Sequence, residues 1–337
     1  MKSITRAIFS TSLVALGLAS AIGPVEAQKF PSKPVEISVW AAAGGGTDTV
    51  NRMIAKAMEK DLGGAIIVSN RTGGGGAVAM NHVWSRPHDG YNWLGSSEQM
   101  QIVATMGFHG TTTRDWRWYM VAGAPGVLSV KPDSRFKSLD DLVAAARANP
   151  GKVNIAHSPI ASVWHAKALG LAGAIEAKLN SVPYAGSAPA MVAVLAGDGD
   201  AVISSLAEQT EYIKTGKLRP LAMVETVAFD FPGLGRIPAV GEKYPNIAKM
   251  PARTWLGFGV PAKTPGDIIA KIDQAFAAAL KDPAFKDTME KMNYTVIGAY
   301  GDESMKILSA MESAVSWALF DLGAAKISPD SKGIPRP

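Results

Sequence analysis

The 337 residues contain no cysteine. Disulfides, cysteine metal ligands and a lipid-modified cysteine at a processing site are therefore excluded, as suits an exported chain that avoids accidental disulfides. The five histidines, His82, His88, His109, His157 and His165, show no H-E-x-x-H or other tight ligand spacing, so no metal centre is expected. No G-K-[ST] follows a glycine run, which removes the Walker loop, and no G-x-S-x-G is present, which removes the nucleophile elbow; Ser96, Ser158 and Ser187 lie in other contexts. Gly74 to Ala79 fits G-x-G-x-x-A after a strand, yet no clear acidic residue closes a second strand about 20 residues on, so a nicotinamide cofactor is not expected, nor any other. Asp198 and Asp200 follow Gly197 in a turn that they cap or solvate, which leaves paired catalytic carboxylates unsupported. There is no fixed-period repeat and no low-complexity tract. The net charge of +5 is small and its basic residues are interleaved with acids, so nucleic acid is not an expected partner, while a weak cationic field helps draw in anions.

What is present is core-forming material, 47% hydrophobic and 19% charged, enough for one large or two medium domains. Residues 1–27 form a separate unit: Lys2 and Arg6 precede an apolar run from Ala7 to Ile22, then Gly23-Pro24 and Val25-Glu26-Ala27. This is the pattern of a cleaved signal peptide, with a soluble mature chain starting at Gln28 in the periplasm. The run is short of the about 20 residues that span a bilayer, and no later stretch is longer.

Val35 to Leu62 reads as a strand, a three-glycine turn and an amphipathic helix. Val35, Ile37 and Val39 alternate as in a half-buried strand, while Val50, Met53, Ile54, Ala57 and Met58 recur at helical spacing. Gly44-Gly45-Gly46 lets backbone amides approach a ligand closely, and Thr47 or Asp48 suits the helix N-cap. Such a turn favours a carboxylate or phosphate; it is equally a tight turn with no ligand.

Strand and helix then alternate twice. The first series runs through Ala65–Val68, a helix at Ala77–Ser85 and a strand at Tyr91–Leu94. After an interrupted apolar run at Val121–Val130 the second opens on the Ser138-to-Asp141 capping box and includes strands at Val153–Ala156, Leu179–Pro183, Ala201–Ser205 and Leu218–Val224. Residues 226–251 form an irregular return, Trp255–Val260 a strand, and helices follow at Pro265–Leu280, Pro283–Met292 and Glu303–Leu322. Two such sets with two crossings predict an α/β protein of two lobes with mainly parallel sheets: a signal peptide at 1–27, lobe 1 from 28–126 and 251–337, and lobe 2 at 127–250. Ligands of open α/β sheets sit beyond the carboxyl ends of the strands. Here those ends are Ala41–Asp48, Gly95–Gln99, His157–His165, Tyr184–Ser187 and Ser204-Ser205. His157 and His165 share one loop-to-helix segment and are structural or ligand-facing. The Arg114–Trp118 cluster is a sticky patch or packed interlobe surface.

The chain resembles the extracytoplasmic solute receptors of tripartite tricarboxylate transporters, the TctC or Bug family. The likeness is carried, in order along the mature chain, by Gly44–Asp48, Asn70-Arg71 with Gly73–Gly76, Asp89–Tyr91, Val182–Ala190, Gly197–Asp200, Gly216–Ala222 and Trp255–Pro261 with Thr264-Pro265. It implies a type II-like periplasmic binding fold that closes around a small organic anion. One carboxylate would be held by Ala43, Gly44, Gly45, Gly46, Thr47 and Asp48 from lobe 1 and by Ser158, Pro159, Ile160, Ala161, Ser162 and His165 from lobe 2. Ser96, Ser97, Ala185, Gly186, Ser187, Ala188 and Ser204 would read the far end.

Four positions depart from the family pattern. Ala43 replaces a proline before the glycines, Thr72 a proline after Asn70-Arg71, Ser158–Ser162 a glycine-rich loop, and Leu169 an acid. Ile160, Trp40 and Trp164 point to a ligand body more apolar than citrate, so aromatic or long-chain dicarboxylates join di- and tricarboxylates as expected ligands. The expected protein is a monomeric, non-enzymatic receptor that delivers its carboxylate to membrane transporter subunits. Presentation of the closed form to a sensor kinase is the alternative output, and an exported hydrolase or isomerase in the same cleft the alternative class.

Overall fold

The computed structural model describes residues 30–160, 162–249, 254–321 and 323–337. The leader expected over 1–27, and Ala161 among the site residues, lie outside them. The opening unit is strand β1 (Val35–Val39), the glycine turn and helix α1 (Gly46–Leu62). Val50, Ile54, Met58 and Leu62 lie four residues apart and are all fully buried, so α1 lays one apolar stripe on the sheet; Gly63 ends it in the left-handed conformation at φ 79°. The chain continues through β2 (Ile66–Asn70), α2 (Ala77–Trp84), β3 (Asn92–Ser97) and β4 (Trp116–Gly123). After only Ala124 and Pro125 it enters β5 (Gly126–Val130), α3 (Leu139–Ala148), β6 (Asn154–His157), α4 (Val163–Ala174), β7 (Asn180–Pro183), α5 (Ser187–Ala196), β8 (Ala201–Ser205), α6 (Leu206–Lys214) and β9 (Arg219–Met223). A hairpin of β10 (Phe229–Phe231) and β11 (Gly235–Ile237) precedes the return through β12 (Leu256–Pro261), α7 (Gly266–Ala279), α8 (Pro283–Lys291), β13 (Thr295–Tyr300) and α9 (Gly301–Asp321).

Besides that hairpin, two large sheets form among the described residues, ordered β13-β4-β12-β3-β1-β2 and β7-β6-β8-β5-β9. Each carries apolar clusters on both faces, which makes two lobes, here lobe 1 and lobe 2. Lobe 1 was expected to bury β1 on one face; α1 and α2 cover both, and Ser38 is buried with its apolar neighbours. The sheets are mixed rather than mainly parallel. β5 runs against β8 and β9, and β12 runs against β3 and β4. The chain leaves lobe 1 at the end of β4, so it enters lobe 2 from the side where β6 and β8 finish; β12 enters lobe 1 the same way on return. Antiparallel neighbours need no crossover helix, so a two-residue connection suffices.

This crossing also explains why the run expected over Val121–Val130 is two strands in different sheets. Its counterpart lies beside it: the Thr254 hydroxyl donates to the Ala124 carbonyl at 2.6 Å and accepts the Ala124 N–H at 3.0 Å. The predicted capping box is formed, with Ser138 Oγ accepting the Asp141 N–H at 3.2 Å and Asp141 accepting the Ser138 N–H at 3.0 Å. The Arg114–Trp118 cluster is neither surface patch nor interlobe packing. Trp116 and Trp118 are buried inside lobe 1, in a series Trp84, Trp116, Trp118, Trp255 with successive ring centroids 5.1, 5.8 and 5.5 Å apart. Their indole N–H groups reach Thr111 Oγ1 and the Thr113 carbonyl, which meets the hydrogen-bond demand of buried tryptophan.

Candidate functional site

The turn between β1 and α1 is built by its own side chains. Asp48 turns back, accepting the Gly44 N–H at 3.0 Å, Arg52 Nε at 3.0 Å and Asn70 Nδ2 at 2.9 Å; Asn70 Nδ2 also reaches the Ala41 carbonyl at 2.9 Å. Burial opposes ionisation of Asp48, but these donors outweigh it and hold the carboxyl below its ordinary range. Asp48 is thus a brace for the turn and not part of the cavity wall. Gly44 takes the left-handed φ of 79° that the turn needs. Gly46 has a different reason: a β-carbon there would stand 3.2 Å from Glu208 Oε1 and from the Tyr294 hydroxyl, and 3.3 Å from Leu256.

Glu208 belongs to α6 in lobe 2, so the lobes meet at this turn. Its Oε1 accepts the Gly46 N–H at 2.5 Å, while Oε2 accepts the Ser205 N–H at 3.0 Å and the Ser205 hydroxyl at 2.8 Å in the α6 capping box. Tyr294 stays a neutral phenol beside it, since burial and then the Glu208 carboxylate both push its ionisation up. The lobes are close here too: a β-carbon on Gly186 would stand 3.2 Å from that of Ala42, and one on Gly44 3.9 Å from that of Ala188. Lobe 1 reaches back through Glu98, whose Oε1 accepts the N–H of Val163, the first residue of α4, at 3.3 Å.

Between the lobes lies a cavity of about 720 Å³. Of the residues expected to form a site, Gly45, Gly46, Thr47, Ser97, Ser158, Pro159, Ile160, Ser162, Ala185, Gly186 and Ser187 line it. Ala43, Gly44, Asp48, Ser96, His165, Ala188 and Ser204 do not. Gly44 and Ala188 are spent on the interlobe contact. Ser96 is fully buried with its hydroxyl on the Ser97 carbonyl, and Ser204 Oγ accepts Gln209 Nε2 at 3.1 Å. His165 lies in the first turn of α4, its N–H on the Ser162 cap and its ring 5.0 Å from that of His157. Burial depresses His157 to about 4, so it is neutral; Nδ1–H donates to the Ser158 carbonyl at 2.6 Å and Nε2 accepts from Ser181 Oγ at 2.5 Å. The pair braces the loop from behind.

The rest of the wall is Trp40, Phe108, Trp164, Tyr184, Met106 and Leu256, with Thr72 to Gly76, Glu98, Gln99, Ser205, Glu208 and Lys326 among its polar and backbone parts. Trp40 and Trp164 stand where the sequence places them. Gly73 to Gly76 has four consecutive positive φ angles, and a β-carbon on Gly76 would meet the Trp40 ring at 2.3 Å, so the loop is glycine to let the indole lie against backbone. This loop was not among the strand ends expected to line the cleft, although it follows β2 and the same rule reaches it. Glu208 was missed as well; its signal in the sequence is the acid of Ser205-x-x-Glu208.

Four helix N-termini therefore converge. Those of α4 and α6 are closed by Ser162 with Glu98 and by Ser205 with Glu208. Those of α1 and α5 start on Gly45 and Gly186, which supply no side-chain cap. Two lobes, crossings that meet at Ala124 and Thr254, and an interlobe cavity ringed by helix starts define the class of two-lobed binding proteins. The chain belongs within it to the tripartite tricarboxylate transporter receptor family: the model described as "Tripartite tricarboxylate transporter family receptor" matches residues 50–316. BugT of Bordetella pertussis strain Tohama I is 28% identical over 306 residues, 88% of this chain and 91% of BugT. Among solved structures, periplasmic binding protein BugD superposes with TM-score 0.79 at 24% identity over 88% of this chain and 99% of BugD. MatC from Rhodopseudomonas palustris with bound malate superposes with TM-score 0.76 at 22% identity over 86% of this chain and all of MatC, 100%.

Proposed function

We propose that this chain is a periplasmic receptor that closes its lobes on a small carboxylate and delivers it to membrane transporter subunits. The observation that carries the reading is that α1 and α5, one from each lobe, begin on glycines that supply no side-chain cap and open onto one cavity, with Glu208 meeting only the Gly46 N–H of α1. Among the described residues no acceptor meets the Thr47 or Ser187 N–H. Orphan N–H groups at the positive ends of two helices make a seat for an anion. This reading takes Ala185–Ser187 as the partner of Gly45–Thr47, in place of Ser158–His165, because α4 already holds Glu98. The malate carried by MatC supports the carboxylate class. Aromatic walls favour an apolar body between the seat and the far end, and rotation about the paired crossings at Ala124 and Thr254 supplies the closure.

Thermal unfolding in the presence of single mono- and dicarboxylates tests it. A ligand at a hundredfold excess over its Kd should raise the midpoint by about 4 °C, and be recovered unchanged. No shift with any carboxylate would overturn the anion seat, and product in the mixture would overturn the receptor. Uptake that survives deletion of the transporter subunits would overturn delivery.

A further inference from the structure

The cavity wall is graded from closed to open. Thr47, Ser187, Trp40 and Trp164 are buried, Met106 and Phe108 are half-buried, and Lys326 is exposed. Lys326 therefore stands at the mouth, where a ligand seated by its carboxylate at Thr47 and Ser187 brings its far end. This position is built by the chain beyond α9, which is tied back onto lobe 1. The Lys326 and Ile327 N–H groups both donate to the Thr105 carbonyl, at 3.0 and 2.9 Å, while Ser313 Oγ and Trp317 Nε1 donate to the Pro335 and Ile334 carbonyls at 2.6 and 3.1 Å. A β-carbon on Gly107 would stand 3.7 Å from Ile327 and 4.0 Å from Lys326 Cδ, so the lysine stem runs beside the loop that carries Met106 and Phe108. Phe108 in turn rests on Gly75, whose carbonyl Gln99 Nε2 holds at 3.1 Å. Of residues 323–337 only Lys326 lines the cavity, and among the described residues nothing accepts from its ammonium.

We infer that Lys326 reads the far end of the ligand, and that this end is a second anionic group on an apolar body. The preferred class is then a dicarboxylate long enough to reach from Thr47 and Ser187, past Trp40 and Trp164, to the mouth. The inference rests on the carboxylate reading and narrows it. A monocarboxylate would set an apolar tail against a solvated ammonium and gain nothing from it, whereas a second carboxylate there accepts a charge-assisted hydrogen bond. Lys326 lies beyond residues 50–316 that the family model matches, so the preference belongs to this chain's C-terminal segment.

Calorimetric titration with straight-chain dicarboxylates from succinate to sebacate, each against the monocarboxylate of the same length, tests this. At the length that spans seat and mouth, the diacid should bind about fivefold or more tighter than the monoacid. Lys326→Gln should remove that preference and leave the monoacid Kd unchanged, and Lys326→Arg should keep it, since both variants retain the main-chain bonds to Thr105. High salt should weaken the preference in wild type, because an exposed pair is screened. Diacids no tighter than their monoacids at any length would overturn the inference and leave the receptor reading intact. An equal loss for monoacids and diacids in Lys326→Gln would overturn it too, since Lys326 would then only draw anions to the cleft. So would a preference that survives Lys326→Gln and is lost in Arg253→Gln; Arg253 precedes Thr254 in the chain and lies outside the described residues. Failure of every acid to bind would overturn the carboxylate reading and this inference with it.

Discussion

Gly46→Val should lower carboxylate affinity by about 5- to 150-fold and also lower the melting temperature of the unliganded protein. The added methyl groups would enter a space bounded 3.2 Å away by Glu208 Oε1 and the Tyr294 hydroxyl, and 3.3 Å away by Leu256. Overpacking of that kind costs roughly 1–3 kcal/mol, which converts to the stated range at about 1.4 kcal/mol per tenfold. The part of the cost set by Glu208 falls on the closed state, because Glu208 approaches Gly46 from the other lobe, while the part set by Tyr294 and Leu256 falls on lobe 1 itself. Position 46 is the first residue of α1, where replacing glycine by valine gains a few tenths of a kcal/mol, roughly, in helix propensity, so the loss comes from the crowding. Gly45→Val is the control: a β-carbon there has 3.4 Å to the Ala42 carbonyl and 3.7 Å to Glu208, so its loss should be smaller. Calorimetric Kd values for the two variants decide it. Equal affinity in Gly46→Val and wild type would contradict the closed geometry.

Glu208→Ala should open the unliganded protein. Glu208 is a carboxylate of lobe 2 seated on the first N–H of α1 in lobe 1 at 2.5 Å, where it occupies part of an anion site with a group of the protein itself. Hydrogen bonds to charged groups contribute roughly 1.5–3 kcal/mol, so its loss shifts the closed population by about 10- to 150-fold, and ligand affinity falls with that population. The α6 cap survives in part, because Ser205 Oγ still accepts the N–H of residue 208 at 3.1 Å. Small-angle scattering without ligand should show a larger radius of gyration for Glu208→Ala than for wild type. Glu208→Gln, which keeps an acceptor for the Gly46 N–H and removes the negative charge, should stay compact. Identical scattering from Glu208→Ala and wild type would show that this contact does not hold the lobes.

The fold was legible because the periods are local. Alternation in β1 and the three- to four-residue spacing in α1 are written in adjacent residues, and the alternation of strands and helices fixed two α/β lobes. What was not legible depends on pairing at a distance. No residue of β5 or β12 announces that it runs against its neighbours; that follows from where the chain crosses. β13 carries glycine at 298 with φ 71° and a register shift beside β4, so its period is broken and it passed unseen, as did the short β10 and β11 in a Pro- and Gly-rich return. At the site, the strand-end rule led to most of the loops around the cavity. It failed to say which groups in those loops were already engaged. Asp48 is turned on Gly44, and the amide of Gly46 and the start of α4 are taken by Glu208 and Glu98, whose sequence separations of 162 and 65 residues from those partners no local pattern encodes.

The central claim is that a carboxylate sits between the starts of α1 and α5. A crystal structure of the protein with a tightly binding carboxylate tests it most directly. The account predicts carboxylate oxygens within hydrogen-bond distance of the Thr47 and Ser187 N–H groups, with the ligand body against Trp40 and Trp164. A carboxylate held instead by Ser158–Ser162 at the start of α4, with Glu98 displaced, would contradict it.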